Sequence, residues 1–579
     1  MILQALTRLF EDLVQQGKLA RPGWSPAKIS YALCLDEAGN LENIVPMLRE
    51  VTVKNKTQLQ PTPMELPSGT TRSSGIVPFF LWDNSTYLLG VDAKPKPERS
   101  EKCFKACAEL HHQLLDDVNS PIAAILLSYF DKWNPKEAHN HPALADCWDD
   151  IMKGGNLIFR VNGQFAQDDP AIRAAWDSHY NQLQGEKRQC LVTGQMDVPE
   201  AVHPAIKGVT GAQSSGAALV SFNAPAFCSY GKEQSLNAPV GKYAAFAYTA
   251  ALNYLLGNRE NVHRIGDTSI VCWAEGAEPQ YSAFAALSLF GDNLPEGLTD
   301  RDLQDTMRNL AQGLPCKSLQ LDPQRPFYIL GLAPNAARLS VRFFYRDSFG
   351  TLMKHVNDHH ERLEITGSRY AVTPLWAMLQ ETVNMNSTDK SPSPVMAGAT
   401  ARAIFTGSDY PASLLEATML RIRAEREITP GRAAIIKAYY LKNSNDSKLK
   451  EVMTVSLNEH STNVPYTLGR LFAVYEEVQE RANPGINATI KDKYFNSAAA
   501  TPAVIFPILL NLAQKHLKKL RGSNAGLVVF YEKQLTELCS RIGKAYPAHM
   551  NLPQQGSFQL GYYCQTQARY QKKEEAKDV

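Results

Sequence analysis

The order of apolar and polar residues predicts mixed strands and helices over the first two thirds of the chain. The segment KISYALCL alternates before a DEAGN turn, NLIFRV precedes Asn162-Gly163, and FYILGLAPNAARLSVRFFYRD contains two strands around a loop. Between them, ERSEKCFKACAELHHQLLDDV and KYAAFAYTAALNYLL have helical spacing. We therefore predict an irregular α+β body over residues 1–385, with largely antiparallel sheets and, as an alternative, two subdomains divided near residues 150–190.

Beyond residue 400 the spacing of apolar residues is almost entirely helical, as in LLEATMLRIRAERE, VPYTLGRLFAVYEEVQERA and TPAVIFPILLNLAQKHLKKLR. This predicts an all-α helical bundle over residues 401–579. Ser, Pro and Asp concentrate without periodicity in NSTDKSPSPVMAG, which predicts a linker over residues 386–400. At the other end, MILQALTRLFEDLV has helical spacing without a basic leader, and it predicts an amphipathic helix of the fold rather than a signal peptide.

Composition places the chain among ordinary globular proteins. Of its 579 residues, 44% are apolar and 20% are charged, with a formal net charge of +2, so no overall basic excess indicates a nucleic-acid partner. The apolar runs are shorter than the roughly 18 residues that a membrane-spanning helix needs. None of the ten cysteines forms a Cys-x-x-Cys pair, and we expect free thiols in a cytoplasmic protein without a membrane partner.

Positive charge is concentrated locally in the predicted bundle. Residues 414–450 contain eight positive and four acidic side chains, and residues 486–521 contain six positive side chains against Asp492 alone. Basic helices of this kind bind a phosphate backbone, but a solvated helix face produces the same pattern. The candidates for backbone contact in the second segment are Lys491, Lys493, Lys515, Lys518, Lys519 and Arg521.

The glycine-rich stretch KGVTGAQSSGA, residues 207–217, has several interpretations. Its last part matches six positions of a Walker A loop, but Ala217 and Ala218 stand where that motif requires Lys and Ser or Thr. The GxxG element Gly208–Gly211 is too short to identify a KH domain. A loop with exposed backbone that approaches a nucleic-acid groove and a plain surface turn both remain open.

The metal and nucleophile candidates are scattered. His139, His141 and Cys147 lack a second ligand pair, and Asp358 and His359 lie in a helix-like run without an upstream acidic strand. Cys190, with Asp197 and His203 nearby in sequence, has no activating context. We therefore predict no catalytic residue, no metal site and no cofactor.

An ordered set of motifs carries a family resemblance. The chain resembles the large signature subunit of the type I-C CRISPR surveillance complex, Cascade, from Met1 to about Tyr570. The resemblance lies in TTRSSGIVPFFLWDNSTYLLGVD, CLVTGQ, HPAIKGVTGAQSSGAALVSFNAPAFCSYGKEQSLNAPV, IGDTSIVCWAE, YILGLAPNAARLSVRFFYRD, TLGRLFAVYEEVQERA, NATIKDKYFNSAAATPAVIFP and FQLGYYCQTQARY.

The resemblance implies a subunit that is not an enzyme. Such a protein works in a CRISPR guide RNA complex with backbone and handle-binding subunits, detects the protospacer-adjacent motif in double-stranded DNA, helps to open the duplex and stabilise the R-loop, and recruits a helicase-nuclease. It also implies that the C-terminal bundle resembles the small subunit of related complexes, which this family makes from an internal start. Met453 is the candidate start.

By analogy with related large subunits, the glycine loop is the first candidate for motif recognition, because amide and hydroxyl donors suit the minor groove. Two further polar stretches are the TTRSSG…WDN block and the loop after SFNAP, and Lys54 and Lys56, near the first of them, are further candidates for contact with the DNA backbone. Arg338, Arg342 and Arg346 are predicted to share one face of a strand. That face meets the guide RNA handle or a neighbouring subunit, or it is an exposed sheet face on which the arginines form ion pairs. The motif-recognition candidates are Lys207, Gly208, Gly211, Gln213, Ser214, Ser215, Gly216, Thr71, Arg72, Ser73, Ser74, Asn84, Asn223, Lys232, Gln234 and Asn237.

Two other functions compete with this interpretation. A scaffold subunit would contact only proteins, and its loops could be changed without effect on DNA binding. A nuclease would use His139, His141, Asp358 or His359 and would cleave nucleic acid with a metal ion.

Overall fold

The computed structural model describes residues 1–53, 56–69, 75–93, 97–181, 185–222, 224–291, 295 and 297–575. Contacts divide the chain into two compact units. The first unit contains Met1–Pro204 and Val220–Ala251, and the second contains Ala205–Leu219 and Leu252–Val579. The chain therefore passes from one unit to the other more than once.

The first unit is a mixed sheet with helices. Its main sheet has the order β3-β4-β1-β6-β5, with β2 paired to β1 and β7 paired to β6. The pairing of β1 with β6 is parallel, and the other pairs are antiparallel. Its elements are α1 (Ile2–Gln15), β1 (Trp24–Leu35), β2 (Leu41–Pro46), β3 (Leu48–Val53), β4 (Lys56–Pro67), β5 (Trp82–Asp83), α2 (Ser85–Leu88), α3 (Pro97–Leu115), α4 (Pro121–Lys132), α5 (Trp148–Met152), β6 (Asn156–Val161), β7 (Gln164–Phe165), α6 (Pro170–Asn181), β8 (Arg188–Gln189), β9 (Met196–Asp197) and the start of α7 (Lys242–Gly257).

An aromatic cluster in the core of the first unit surrounds a buried histidine. The rings of Phe80, Phe130 and Phe159 lie within about 6 Å of the His111 ring, centre to centre. His111 Nδ1 lies 2.8 Å from the Cys107 carbonyl, and the backbone N–H of Leu81 donates to Nε2 at 3.0 Å. These two partners select the neutral tautomer with its proton on Nδ1. Burial lowers the pKa of His111 to about 4.

The second unit combines an antiparallel sheet with a large set of helices. The sheet has the order β10-β11-β12-β13. The antiparallel sheets and the helical C-terminal region confirm the predicted fold class. The elements are β10 (Val262–Ile265), β11 (Thr268–Ala274), α8 (Pro279–Phe290), α9 (Asp300–Ala311), β12 (Pro326–Asn335), β13 (Arg338–Ser348), α10 (Phe349–Leu363), α11 (Leu375–Gln380), α12 (Pro394–Thr406), α13 (Ala412–Glu425), α14 (Pro430–Asn443), α15 (Ser447–Lys450), α16 (Val464–Ala482), α17 (Ile490–Ala500), α18 (Pro502–Arg521), α19 (Ala525–Ser540) and α20 (Leu552–Glu575).

One continuous hydrophobic core fills the second unit. Its buried residues run from Ile265 in β10 through Phe327 and Phe405 to Cys564 in α20, so the sheet and the bundle share their interior. The predicted linker at residues 386–400 is not a break in this core, because Met396 and Ala397 of α12 are buried in it. The division at 386–400 into functional domains stays a prediction.

Helices α16 and α20 approach each other through glycines. A methyl group on Gly469 of α16 would overlap the backbone of Phe558, and one on Gly561 of α20 would overlap the backbone of Tyr466. Because glycine lacks a Cβ, the two backbones come closer here than any other residue would allow. This reciprocal contact packs α20 directly against α16 within the bundle.

Candidate nucleic-acid interface

The glycine loop, residues 207–216, is a closed loop on the second unit. Ile206 and Ala217 exchange two backbone hydrogen bonds of 2.9 Å at its base. Ala218 then pairs with the start of β13, where its N–H donates to the Ala337 carbonyl at 3.0 Å. A Walker A loop leads into a helix, whereas this loop leads into strand pairing, so its geometry agrees with the missing lysine.

The glycines are required by the path of this loop. Gly208, Gly211 and Gly216 have φ values of +92°, +77° and +102°, which side chains other than glycine rarely adopt. A Cβ on Gly216 would also lie 2.8 Å from the Cβ of Ala205. Two successive turns form the loop, closed by bonds from Ala212 N–H to the Val209 carbonyl and from Gly216 N–H to the Gln213 carbonyl.

Side chains of the second unit hold the loop in place. The Lys207 N–H donates to Asn253 Oδ1 at 2.8 Å, and Asn253 Nδ2 donates to the Ala205 carbonyl at 3.1 Å. The Thr210 N–H donates to Ser269 Oγ of β11 at 3.2 Å, and Val209 is buried beneath the loop. Asn253 was not among the candidates predicted from the sequence. It is a polar residue in the apolar helix α7, and nothing in the local sequence indicated that it holds a loop in place.

The tip of the glycine loop is exposed and polar. Gln213, Ser214 and Ser215 all face solvent, and so does Lys207 at the base. The structure thus brings seven of the predicted residues together as a braced projection with amide, hydroxyl and ammonium donors. Such a set can enter a DNA groove without rearrangement of the backbone.

The second predicted polar stretch is only partly described. Lys56 is the first residue of β4, whereas Thr71, Arg72, Ser73, Ser74 and Lys54 lie outside the described residues. Asn84 is described, and it caps α2 by accepting a hydrogen bond from the Thr86 N–H at 3.1 Å. Its carbonyl oxygen therefore has a structural role.

The third predicted stretch forms a braced loop in the first unit, which we call the tyrosine loop (residues 228–237). Asn237 organises it. Its Oδ1 accepts from the Ser229 N–H at 2.8 Å, and its Nδ2 donates to the carbonyls of Lys232 and Gln234 at 3.1 and 2.9 Å. Lys232 and Gln234 are exposed, whereas Asn223 lies outside the described residues. Asn237 is thus a positioning residue, since its amide is engaged within the loop.

The tyrosine loop also presents an aromatic residue that sequence reasoning missed. Tyr230 is 98% exposed and has a φ of +55°. Polarity guided the choice of candidates in this stretch, and Tyr230 was not among them. Only its position between Ser229 and Gly231 hinted at exposure.

The three strand arginines do not share one face, so that prediction is wrong. Val341 pairs with Leu332, but Phe343 pairs with Gly331, which makes Arg342 the extra residue of a β-bulge. Arg338 then pairs with Asn335 and Arg346 with Tyr328, and these two partners are an odd number of residues apart on β12. Arg338 and Arg346 therefore point to opposite faces of the sheet.

The basic side chains of the bundle differ in their surroundings. Lys515 and Lys518 are exposed on α18 and have no partner among the described residues. In contrast, Lys519 donates to Asn483 Oδ1 at 2.7 Å, and Arg521 pairs with Glu532 at 2.5 Å. Lys491 lies over the Tyr562 ring at 5.0 Å, and Lys493 lies over the ring of the adjacent Tyr494 at 5.2 Å. Lys515 and Lys518 are the best placed to meet a phosphate backbone.

The histidines considered for a nuclease have structural partners. His359 is buried and its Nδ1 lies 2.6 Å from the Tyr410 hydroxyl, and burial holds its pKa well below the usual range. His141 Nδ1 accepts from the Ala143 N–H, and His139 packs edge-on against Trp148. Within the part of the chain that the structure describes, no three His, Cys, Asp or Glu side chains come together as metal ligands.

Cys190 is buried and hydrogen-bonded. The N–H groups of Gly241 and Val192 donate to its Sγ at 3.2 and 3.4 Å. Burial raises the pKa of the thiol, but the hydrogen bonds from Thr193 and from backbone N–H groups outweigh it, so the pKa lies below its ordinary value. His203 instead contacts the Tyr248 hydroxyl at 2.7 Å. All ten cysteines are free, as expected.

A cleft of about 920 Å³ lies in the first unit between α1, α7 and the segment around β9. Arg8 and Lys242 line it together with Glu11, Asp197 and Glu200, so its charges are mixed. Mixed charge does not select an anionic ligand.

In the described part of the chain, no helix has the length and apolar character needed to cross a membrane.

Comparison with known proteins gives one result for the whole chain. The family model described as CRISPR-associated protein (Cas_Csd1) matches residues 6–570. This range covers most of both units, the glycine loop, the tyrosine loop and the helices of the bundle up to residue 570 of α20. No curated protein matches the chain.

Proposed function

Because the chain belongs to the Csd1 family of CRISPR-associated proteins, we propose that it is the non-catalytic large subunit of a type I-C Cascade complex. It recognises the motif beside the protospacer in duplex DNA, helps to open the duplex and stabilises the R-loop. The family membership and the ordered motifs support this assignment together.

The observation that carries the proposal is the construction of the glycine loop. A plain surface turn needs neither three glycines at positive φ nor bracing by Asn253 and Ser269. Bracing keeps the exposed Gln213, Ser214 and Ser215 in one arrangement. Because the loop is already ordered in the folded protein, binding does not require a further loss of its conformational entropy. This favours discrimination between DNA sequences.

The donors at the loop tip suit the minor groove. That groove presents mainly acceptors on A·T pairs and adds an amino donor on G·C pairs, so amide and hydroxyl donors favour an A·T-containing motif. Lys207 at the base contributes charge toward the phosphates. This division of roles predicts that Gln213 affects sequence preference and Lys207 affects overall affinity.

The partners of the complex follow from the same assignment. Guide RNA with backbone and handle-binding subunits holds the protein, and pairing with the guide reads the remaining target sequence. Lys515 and Lys518 of α18 track an opened DNA strand, since they are exposed without intramolecular partners among the described residues. A separate helicase-nuclease cuts the DNA after recruitment.

A shorter product from Met453 belongs to the proposal. The segment after this residue contains α16 to α20, including both halves of the Gly469 and Gly561 contact. It therefore carries its own main helix pair. The short chain would serve as the small subunit along the opened strand.

The test is binding of the assembled complex to duplexes that differ only in the adjacent motif. We expect Gln213→Ala to reduce the preference for the motif-bearing duplex by about 1–3 kcal/mol. Gln312→Ala, which removes an exposed amide at the end of α9, serves as the control and should keep the preference.

Each other outcome has a definite meaning. Equal loss on both duplexes would assign the loop to the DNA backbone and overturn its recognition role. Unchanged binding with every loop variant would favour the scaffold function, with a neighbouring subunit reading the duplex. Metal-dependent cleavage by the purified chain would overturn the non-catalytic assignment.

A further inference from the structure

The tyrosine loop has the features of a contact for an exposed nucleobase. We infer that Tyr230 stacks on an unpaired base of the target DNA, an inference that rests on the proposed function. The ring is 98% exposed and has no partner among the described residues. A large aromatic ring left in water gives up the free energy that its burial would contribute.

The backbone at Tyr230 is held in an unfavourable conformation. Its φ of +55° lies in the left-handed region, where a bulky side chain is an outlier. Gln234, in the same loop, has a φ of +48°. Strained residues of this kind persist where surrounding contacts hold them, and they concentrate at functional sites.

The surrounding contacts are present in the loop. Asn237 binds Ser229, the residue before Tyr230, and the carbonyl of Lys232, two residues after it. The Ser235 hydroxyl donates to the Glu200 carbonyl, which ties the loop to the rest of the first unit. The loop therefore presents the ring in a defined position rather than letting it collapse onto the surface.

The chemistry around the ring favours a base over a protein partner. A contiguous apolar patch would favour a protein partner, but the side chains that follow Tyr230 in the loop are the exposed and polar Lys232, Glu233 and Gln234, and the exposed Phe227 lies outside the loop. A loop that carries an exposed flat ring together with an exposed ammonium and an exposed amide offers a stacking face for a base and polar groups for its edge and phosphate. Stacking accepts every base, so Tyr230 would act without sequence preference.

The experiment is a mutant cycle between the protein and the DNA. The assembled complex binds motif-bearing duplexes in which a single abasic site is moved through the positions next to the motif, on each strand in turn. Wild type, Tyr230→Phe and Tyr230→Ala are compared, with Trp376→Ala, an exposed ring on α11, as the control. The readout is the dissociation constant for each duplex.

We expect Tyr230→Ala to weaken binding to intact duplex about tenfold, as the loss of one base–aromatic stack predicts. Tyr230→Phe should stay within about twofold, because the ring is retained. At one abasic position the wild type should also lose about tenfold, and Tyr230→Ala should lose nothing more there. Thermal unfolding of Tyr230→Ala should match the wild type, since the ring is almost fully exposed and packs against no described residue.

The alternatives give different results. If Tyr230→Ala binds every duplex like the wild type, the inference is overturned while the motif preference of the complex, and so the proposed function, stands. If the variant instead fails to enter the complex, Tyr230 contacts a protein. Loss of motif preference in the wild type would count against the proposed function itself.

Discussion

His111 shows how the local structure can depend on the protonation state of one residue. It is buried among aromatic rings, and the Leu81 N–H donates to its Nε2. Protonation of Nε2 would break that bond and place a charge in the core. The position of Leu81, which itself has a φ of +69°, therefore depends on a neutral imidazole.

Acid should destabilise the protein through His111. Its pKa is about 4 in the folded protein against an ordinary value of 6.5, so the unfolded chain binds the proton more strongly. The stabilisation is complete above pH 6.5 and is lost as the pH falls toward 4, an effect of about 3 kcal/mol. Urea unfolding at several pH values should show that His111→Leu is less stable than the wild type at neutral pH but loses less stability on acidification.

His112 provides the control with the opposite sign. Its hydrogen bond to Asp116 and the nearby charges of Asp116 and Asp131 raise its pKa. The stabilisation from this residue is present below its ordinary pKa and is lost as the pH rises. His112→Gln should therefore make the protein more sensitive to acid, and the same pH response in both variants would contradict this assignment.

At the residue scale, sequence reasoning found the glycine loop because three glycines among small polar residues are rare without a backbone reason. It could not separate the roles of Asn237, which braces a loop, and Tyr230, which is presented by it. Local sequence does not reveal which side chains are used up by internal hydrogen bonds. That information comes only from the folded loop.

At the scale of elements, the sequence predicted strands and helices well where the pattern of apolar residues lies within the element itself. The hairpin of β1 and β2, the strand β6 and the helices of the bundle match the periodicity of their own residues. The parallel pairing of β1 with β6 could not be read, because it joins segments more than a hundred residues apart. The bulge at Arg342 reversed the alternation of β13, which contains no glycine or proline of its own, although Gly331 faces the bulge from β12.

The contact between α16 and α20 predicts a large effect from a small substitution. Gly469→Ala should force the two helices apart and lower the free energy of unfolding by roughly 3 kcal/mol, because backbone on the facing helix cannot move aside. Gly561→Ala should behave similarly. Denaturant unfolding of the full chain measures the effect.

Gly526 is the matched control, since it also lies in a helix of the bundle. An added methyl there would meet only Asn524 Oδ1 at 3.7 Å. Gly526→Ala should therefore be neutral or stabilise the protein by up to about 1 kcal/mol. Equal destabilisation by the substitutions at Gly469 and Gly526 would show that helix packing is not the cause.

The exposed lysines of α18 predict a salt-dependent effect. Lys515→Gln with Lys518→Gln should weaken DNA binding by the complex equally for all sequences and reduce the slope of log K against log salt by about 1.5. Arg521→Gln should reduce it less, because Glu532 already pairs with Arg521. A titration of sodium chloride measures both, and an unchanged slope in the double variant would remove α18 from the DNA path.

At the scale of the whole molecule, composition predicts a linker at residues 386–400, and contacts divide the chain into units at other positions. The stretch 386–400 is rich in Ser and Pro, yet its second half enters the core of the second unit. The contacts divide the chain at residues 204 and 219, on either side of the glycine loop, and at residue 251 within α7. Long-range contacts decide such a boundary, and they leave no local trace in the sequence.

The proposed internal start predicts a second product from the same gene. Met453→Leu should abolish a short chain that copurifies with the full one, because the next methionine is Met550, within the bundle. Met453 is buried, and leucine has a similar volume, so the full chain should lose less than about 1.5 kcal/mol. Met419→Leu, at a buried site in α13, is the control, and persistence of the band on a denaturing gel would place the start elsewhere.

The close contact of α20 with α16 also has a consequence for how the protein is made. The first unit has all of its residues once position 251 has left the ribosome, whereas the second lacks α20 until residues 552–575 have been translated. A nascent chain that terminates early would leave the α16 surface beside Gly469 uncovered. Proteases and chaperones recognise such apolar surfaces, so quality control would remove incomplete copies before they could occupy a place in the complex.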